Sequence, residues 1–133
     1  MEKTFRLEIV TPDRYFFKGQ SDSLILPAID GLYGVEAGHE PVVTAVEPGE
    51  LRFRTNGQWQ TAAVGQGFAE ILPDYVILLV SSAERPEEID IHRAEEARRR
   101  AEEYLRQKQS VQEYYRSKAA LARAMARLKI KKK

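Results

Sequence analysis

Cysteine is absent from the 133 residues of this chain. Disulfide bonds and thiolate-bound metal sites are therefore excluded, and a reducing compartment fits the composition. Long apolar runs are missing too. The longest, from Tyr75 to Val80, is far shorter than the roughly 20 residues of a membrane-spanning helix, and the N-terminal stretch MEKTFRLEIV lacks the apolar core of a signal peptide. We therefore expect a soluble protein whose contact with a membrane is made only through a larger complex.

The side chains that usually carry catalysis are also scarce. The chain has two histidines and no pairing of a nucleophile with a base that has a catalytic spacing. The glycine-rich phosphate loop that ends in Gly-Lys-Ser or Gly-Lys-Thr is missing as well. These absences predict a protein that is not an enzyme, and no metal site is predicted.

Charge is divided unevenly along the chain, although the net charge is only +1. Up to Ala83 there are 6 lysines and arginines against 11 acidic residues, which gives −5. From Glu84 onward there are 15 against 9, which gives +6. A division of this kind favours two parts with different partners. We place the domains at residues 1–84 and 85–133.

The first part has the two-residue period of β-strands. Phe5, Leu7 and Ile9 alternate with polar residues, which is typical of a half-buried strand. Two further apolar runs flank the turn signal Pro73-Asp74. Short strands with frequent turns, and no helical period between them, predict an antiparallel β-sandwich or barrel, of which we expect the sandwich.

The clearest local signal in this part is a hairpin centred on Asn56-Gly57. These residue types adopt the positive φ angles that a type I′ turn requires. The flanking alternation predicts a buried face that includes Leu51, Phe53 and Trp59.

The second part changes to a helical period. Asp90 is the predicted N-cap of a first helix, whose apolar residues are Ala94, Ala97, Ala101, Tyr104 and Leu105. A second helix is predicted to begin at Ser110, where the spacing to Glu113 is that of a capping box. Its predicted stripe is Val111, Tyr114 or Tyr115, Leu121, Ala122, Met125 and Leu128. The short connection between them predicts an antiparallel helical hairpin.

The seam of this hairpin is thin and rich in alanine. Each buried methylene is worth about 0.8 kcal/mol, so an alanine seam stabilises docking weakly, whereas alanine keeps helix propensity high. Two arrangements stay open on these grounds: helices that move between folded-down and extended positions, and helices fixed on the sandwich by their tyrosines.

Arginines gather at the open end of the predicted hairpin. Arg93 and Arg100 share a face of the first helix, and Arg123 and Arg127 share a face of the second. Antiparallel pairing brings Arg93 to a level between the latter two. Several guanidiniums beside the free N–H groups of a helix N-terminus form an environment for polyphosphate.

A simpler explanation of the charges is a solvated helix face. Glu96 with Arg100, and Glu102 with Arg106, have the i,i+4 spacing of pairs worth about 0.2–0.5 kcal/mol on an exposed helix. Arg123 and Arg127 have no acidic residue three or four positions away, so such pairs do not account for them.

Five segments of the chain resemble the ε subunit of the bacterial F-type ATP synthase. They are VTPD (10–13), GLYGVEAGHEPVV (31–43), GQGFAEI (65–71), IDIHRA (89–94) and RAMARL (123–128). Their order and spacing extend the resemblance over nearly the whole chain. It implies an N-terminal β-sandwich and a C-terminal helical hairpin that swings up along the γ subunit to inhibit ATP hydrolysis.

The resemblance also implies a binding site. The segment IDIHRA is similar to the family's ATP-binding motif, Ile/Leu-Asp-x-x-Arg-Ala, and Asp90, Arg93 and Ala94 match it. The same alignment would complete the pocket with Glu84, Arg100, Arg123 and Arg127. The implied ligand is ATP, acting as a regulatory ligand that holds the hairpin down and not as a substrate.

Partners follow from the same resemblance. The sandwich is expected to contact the γ subunit and the membrane rotor ring, and the basic hairpin to meet the catalytic α and β subunits, at the cytoplasmic face of the membrane. A basic helical adaptor for nucleic acid is the alternative, since it would use the run Arg98 to Arg100 and the terminal lysines in salt-dependent binding. The acidic sandwich argues against that alternative, so no nucleic-acid partner is expected.

Overall fold

The computed structural model of the chain describes residues 3–107 and 110–131. Ten strands precede two helices in these ranges. The strands are β1 (Phe5–Val10), β2 (Tyr15–Ser21), β3 (Ser23–Ala28), β4 (Gly31–Glu36), β5 (Val42–Val46), β6 (Gly49–Thr55), β7 (Gln58–Val64), β8 (Gly67–Ile71), β9 (Tyr75–Val80) and β10 (Ala83–Glu84). The helices are α1 (Ile91–Arg106) and α2 (Val111–Lys131), and a 3-10 turn (Pro86–Glu88) lies between β10 and α1.

The strands form two five-stranded sheets that face each other across the main core. Their orders are β2-β1-β9-β8-β5 and β10-β7-β6-β3-β4. Inward-facing side chains alternate along the strands, as in Phe5, Leu7 and Ile9, which are almost completely buried. The largest buried side chains from both sheets also include Leu24, Leu26, Leu51, Phe53, Ile71 and Leu78. The prediction of a β-sandwich followed by a helical hairpin is confirmed.

One pairing departs from the antiparallel arrangement. β1 runs parallel to β9, and every other strand pairing in the described ranges is antiparallel. β1 is therefore inserted between its hairpin partner β2 and a strand that is distant in the sequence. Alternation predicts which residues of β1 are buried but carries no information about the direction of such a distant neighbour.

The predicted hairpin at Asn56-Gly57 joins β6 to β7. Both residues have positive φ angles, 51° and 75°, and Thr55 lies opposite Gln58 across a two-residue loop. This geometry is what a type I′ turn requires. The turn prediction is confirmed.

The register of that hairpin overturns one expectation, because Trp59 does not lie on the buried face. It lies opposite Arg54, and residues directly opposite in an antiparallel pair share a face. The face is the outer one, where Trp59 is 43% exposed. Its ring centroid lies 5.3 Å from the guanidinium carbon of Arg52 and 5.8 Å from that of Arg54. Leu51 and Phe53 are buried, as expected.

The two helices stack on the outer face of the second sheet. α2 packs against β6 and β7, and α1 packs against α2. The contact with the sandwich is made by the C-terminal half of α2, where Ala124, Ala126, Leu128 and Ile130 are buried. Ile130 joins Ala63 and Ile89 in a small second core.

The predicted stripe of α2 is only partly correct. Leu128 is buried, but Val111 is 73%, Tyr115 62% and Met125 50% exposed. Val111 and Tyr115 lie in the N-terminal half of α2, which has only α1 beside it. Met125 lies in the C-terminal half, on a side of the helix that stays exposed. On α1 the buried residues are Ala94 and Ala101, so the seam between the helices is as small as the sequence indicates.

The helices of this fold were also compared with the requirements of a membrane-spanning segment. No helix in the described ranges combines the length and the apolar character that a transmembrane span requires.

Candidate functional site

The candidate site is a cleft between the start of α1, the segment that precedes it, and the second half of α2. Asp90 begins α1 as its N-cap, as predicted. Its Oδ1 accepts hydrogen bonds from the backbone N–H groups of His92 at 3.0 Å and Arg93 at 3.2 Å. The cap fixes where the helix starts and hence the direction in which its first turn presents the Arg93 side chain.

The same cap limits what the helix N-terminus can offer an anion. Asp90 already accepts hydrogen bonds from two of its N–H groups, those of His92 and Arg93. The carboxylate also offsets the positive end of the helix dipole at that point. Positive charge in the cleft therefore comes from side chains and not from the helix terminus.

Six of the seven candidate residues line one cleft of about 270 Å³. They are Glu84, Asp90, Arg93, Ala94, Arg100 and Arg127. Glu84 comes from β10, Asp90 is the N-cap of α1, and Arg127 comes from α2. The remaining three, Arg93, Ala94 and Arg100, belong to α1. The cleft is thus assembled from both parts of the chain.

The seventh candidate, Arg123, lines an adjoining groove of about 580 Å³ between α1 and α2. Arg100 and Arg127 line both spaces, so the two lie side by side. The floor of the groove is formed by small residues that face each other across the hairpin, Ala97, Ala101, Ser117 and Ala120. The connection between the helices, at residues 108 and 109, lies outside the described residues.

Two of the arginines are held by groups of the sandwich. The Arg127 guanidinium forms an ion pair with Glu84. One turn earlier, Arg123 Nη1 donates a hydrogen bond to Gln66 Oε1 at 3.0 Å. Burial, together with the positive charge of Arg127, lowers the pKa of Arg123. The lowered pKa means that the charged form of Arg123 lacks full compensation in this position.

The other two arginines have no acidic partner. Within the described part of the chain, no carboxylate lies in ion-pair distance of the Arg93 or Arg100 side chain. The predicted pair of Glu96 with Arg100 is therefore not formed. The predicted pair of Glu102 with Arg106 is present at 3.7 Å.

Arg98, on a different face of α1, forms ion pairs with two glutamates of the same helix. Its guanidinium lies 2.7 Å from a Glu95 oxygen and 3.3 Å from a Glu102 oxygen. Glu95 and Glu102 are thus engaged with Arg98, whereas Glu96 lines the cleft. Among the described residues, Arg93, Arg100 and Arg123 are guanidiniums in or beside one cavity without a carboxylate partner.

The segment that precedes α1 is held by hydrogen bonds and an ion pair from residues that the sequence patterns did not identify. Arg14 Nη2 donates a hydrogen bond to the backbone oxygen of Ala83 at 3.0 Å, and Arg14 forms an ion pair with Glu88 at 3.0 Å. Arg85 donates to the backbone oxygen of Phe16 at 2.8 Å. The hydrogen bond from Arg14 and the backbone N–H of Arg85 lower the pKa of Glu88. No sequence pattern links Arg14 to residues so far along the chain.

The cleft combines three guanidiniums, those of Arg93, Arg100 and Arg127, with four carboxylates, and the guanidiniums are the groups that could bind an anion. The carboxylates are those of Glu84, Glu88, Asp90 and Glu96. Guanidiniums donate several hydrogen bonds in a fixed plane and match phosphate oxygens. Asp90 Oδ2 and the Glu84 carboxylate add acceptors at the rim. Within the described ranges, no group of three or more histidine, aspartate or glutamate side chains is placed to hold a metal ion.

A β-sandwich followed by a helical hairpin defines a class of two-domain proteins, and known protein families divide this chain in the same way. Residues 4–86 match the beta-sandwich domain of the ATP synthase delta/epsilon chain, and residues 87–132 match its long alpha-helix domain. The chain belongs to the family of ATP synthase delta/epsilon chains.

Curated relatives narrow the family to one kind of subunit. The ATP synthase epsilon chain of Ruminiclostridium cellulolyticum is 55% identical over 125 residues, covering 94% of this chain and 93% of the relative. The ATP synthase epsilon chain of Caldanaerobacter subterraneus subsp. tengcongensis is 47% identical over 134 residues, covering 100% and 97%.

Solved structures share the fold at much lower identity. A chain of the Euglena gracilis mitochondrial ATP synthase aligns with a TM-score of 0.78 at 22% identity, covering 92% of this chain and 78% of its own. A chain from the central stalk and c-ring of the Tetrahymena thermophila mitochondrial ATP synthase aligns with a TM-score of 0.68 at 10% identity, covering 98% and 99%.

Proposed function

We propose that this chain is the epsilon subunit in the central stalk of an F-type ATP synthase, and that ATP bound in the cleft holds its helical hairpin against the sandwich. The observation that carries the ATP site is the gathering of Glu84, Asp90, Arg93, Ala94, Arg100 and Arg127 around one cleft. Arg123 lines the groove beside it.

A nucleoside triphosphate could bind in this cleft because its phosphates could pair with guanidiniums that have no carboxylate in ion-pair distance. Arg93 and Arg100 lack a carboxylate partner among the described residues, and Arg123 has only the neutral amide of Gln66. Hydrogen bonds between guanidinium and phosphate are about twice as strong as neutral ones. In this proposal ATP is a ligand and not a substrate, which agrees with the absence from the sequence of a phosphate loop ending in Gly-Lys-Ser or Gly-Lys-Thr.

Binding at this site would act as a latch because the cleft draws on both domains. Glu84 belongs to the sandwich, Arg93 and Arg100 to α1, and Arg127 to α2. A hairpin that left the sandwich would separate these groups. A ligand that binds only the docked arrangement shifts the population toward it.

The same movement would give the subunit its regulatory role. In the docked position the hairpin lies along the sandwich, and in an extended position it would reach the γ subunit and the catalytic α and β subunits and inhibit ATP hydrolysis. The sandwich would contact γ and the rotor ring, so that the subunit sits peripherally at the cytoplasmic face of the membrane. The support for these partners is the high identity to epsilon chains over nearly the full length.

The test is a calorimetric titration of the full chain with ATP. We expect saturable binding at a single site, and a loss of affinity of about tenfold in Arg93→Ala, which removes one exposed charge-assisted contact. Arg99→Ala is the matched control, because Arg99 is the same residue type on α1 but lines neither cavity. Its affinity should equal that of the unaltered chain.

Two results would contradict the proposal for the ligand. One is no heat of binding with the unaltered chain, and the other is the same affinity in Arg93→Ala and Arg99→Ala. A parallel filter-binding assay with duplex DNA addresses the nucleic-acid alternative. Retention of DNA that falls steeply with salt, without ATP binding, would favour that alternative.

A further inference from the structure

A second contact joins the sandwich to an arginine beside the cleft. Gly65 and Gln66 form the turn between β7 and β8, and Gly67 begins β8. Gln66 Oε1 accepts a hydrogen bond from Arg123 Nη1 at 3.0 Å. This contact joins the sandwich to α2 beside the ion pair of Glu84 with Arg127.

The backbone on either side of Gln66 is tightly fixed. Gly65 N–H donates to the Ser82 backbone oxygen at 2.9 Å, and Ser81 N–H donates to the Gln66 backbone oxygen at 2.9 Å. A Cβ added to Gly65 would lie 2.1 Å from Ser81 Oγ. The sandwich therefore fixes the backbone from which the Gln66 side chain extends to Arg123.

The Gln66 side chain is a neutral amide, and its neutrality matters as much as its position. Arg123 is partly buried, and burial beside Arg127 lowers its pKa, so its charge is costly there without an anion. A glutamate at position 66 would supply that anion internally, as Glu84 does for Arg127. An amide fixes the guanidinium and leaves its charge uncompensated.

We infer that Gln66 is a positioning residue for the nucleotide site: it holds Arg123 in place through a neutral acceptor and thereby reserves the arginine's charge for the phosphates of the ligand. The inference rests on the proposed function and extends it to a residue outside the sequence motif. It assigns different tasks to the two sandwich contacts, since Glu84 neutralises Arg127 and Gln66 only orients Arg123.

The substitution Gln66→Glu separates this role from a merely structural one, because its two expected effects have opposite signs. The new carboxylate pairs with Arg123, so the thermal midpoint of the ligand-free chain should rise. It also competes with phosphate, so affinity for ATP should fall about tenfold. A residue that served packing alone would change both properties in the same direction or neither.

Two controls accompany the measurement. Gln58→Glu makes the same change in charge at an exposed position of β7, at the far end of the strand from the Gln66 turn, and should leave ATP affinity unchanged. In the background Arg123→Ala, the substitution Gln66→Glu should no longer raise the thermal midpoint, because its partner is gone.

The outcomes distinguish this inference from the proposed function. If the unaltered chain binds ATP and Gln66→Glu binds it with equal affinity, the inference is overturned alone. A rise in the thermal midpoint that persists in the Arg123→Ala background would overturn it as well. If the unaltered chain binds no ATP, the inference and the proposed function both fail.

Discussion

Replacing Arg123 by alanine is expected to lower the affinity for ATP about a hundredfold, the upper part of the range for a charge-assisted hydrogen bond. The effect should exceed that of Arg93→Ala, because Arg93 is exposed whereas Arg123 is partly buried. Charges interact more strongly where water is partly excluded. Arg123 is also held in position by Gln66 before a ligand arrives, so little conformational entropy is lost on binding.

Calorimetric titration of Arg123→Ala beside Arg106→Ala measures this effect. Arg106 lies near the end of α1 with a side chain that is 74% exposed, and its loss should leave affinity unchanged. Equal affinities in the two variants would remove Arg123 from the binding site. Thermal unfolding without ligand shows whether each variant is folded, so that a loss of structure is not taken for a loss of contact.

Replacing Gly67 by alanine is expected to destabilise the sandwich by about 3 kcal/mol, at the high end for a substitution that overfills a packed site. An added Cβ would lie 1.9 Å from the Leu79 backbone oxygen. β8 is paired with β9 on one side and β5 on the other, so neither strand can withdraw without breaking hydrogen bonds. Backbone, unlike a flexible side chain, has no other rotamer to adopt.

Urea unfolding of Gly67→Ala and Gly34→Ala tests this expectation. Gly34 is also in a strand, at the edge of the other sheet, and an added Cβ there meets nothing within 4 Å. That variant should unfold near the midpoint of the unaltered chain. Similar midpoints for the two variants would show that β8 can shift to accommodate a methyl group.

The sandwich could be predicted from the sequence where its determinants are local. The alternation of Phe5, Leu7 and Ile9 predicts their burial, and Asn56-Gly57 predicts the turn. The outward position of Trp59 could also have been predicted, since a two-residue loop fixes its partner as Arg54. Counting alternation across the loop without this register led to the wrong face.

Features that depend on distant partners could not be predicted in the same way. The parallel neighbour of β1 is one, because side-chain alternation is the same for either direction. The docking of α2 is another. A helical period shows a face that can be buried, but it does not show that only the half around Leu128 and Ile130 meets the sandwich.

The residues of the candidate site also divide into those that local spacing predicts and those that depend on distant contacts. The grouping of Arg93 and Arg100, and of Arg123 and Arg127, follows from helical spacing, whereas Glu84 came only from the resemblance. Gln66 lies in the resembling segment 65–71, but neither it nor Arg14 carried a signal for the site, since each acts through a tertiary contact to a residue far along the chain. The seam between the helices matches its sequence pattern, and its small alanines contribute little to the packing of one helix on the other.

The latch is tested most directly by the distance between sandwich and hairpin. Because the chain has no cysteine, a donor and an acceptor dye can be attached through Gln58→Cys and Val111→Cys, both exposed positions. Single-molecule energy transfer should then show docked and extended populations without ATP, and a shift to the docked population as ATP is added. The same substitutions in the Arg123→Ala background should need far more ATP for that shift. Identical distance distributions with and without saturating ATP would contradict the latch.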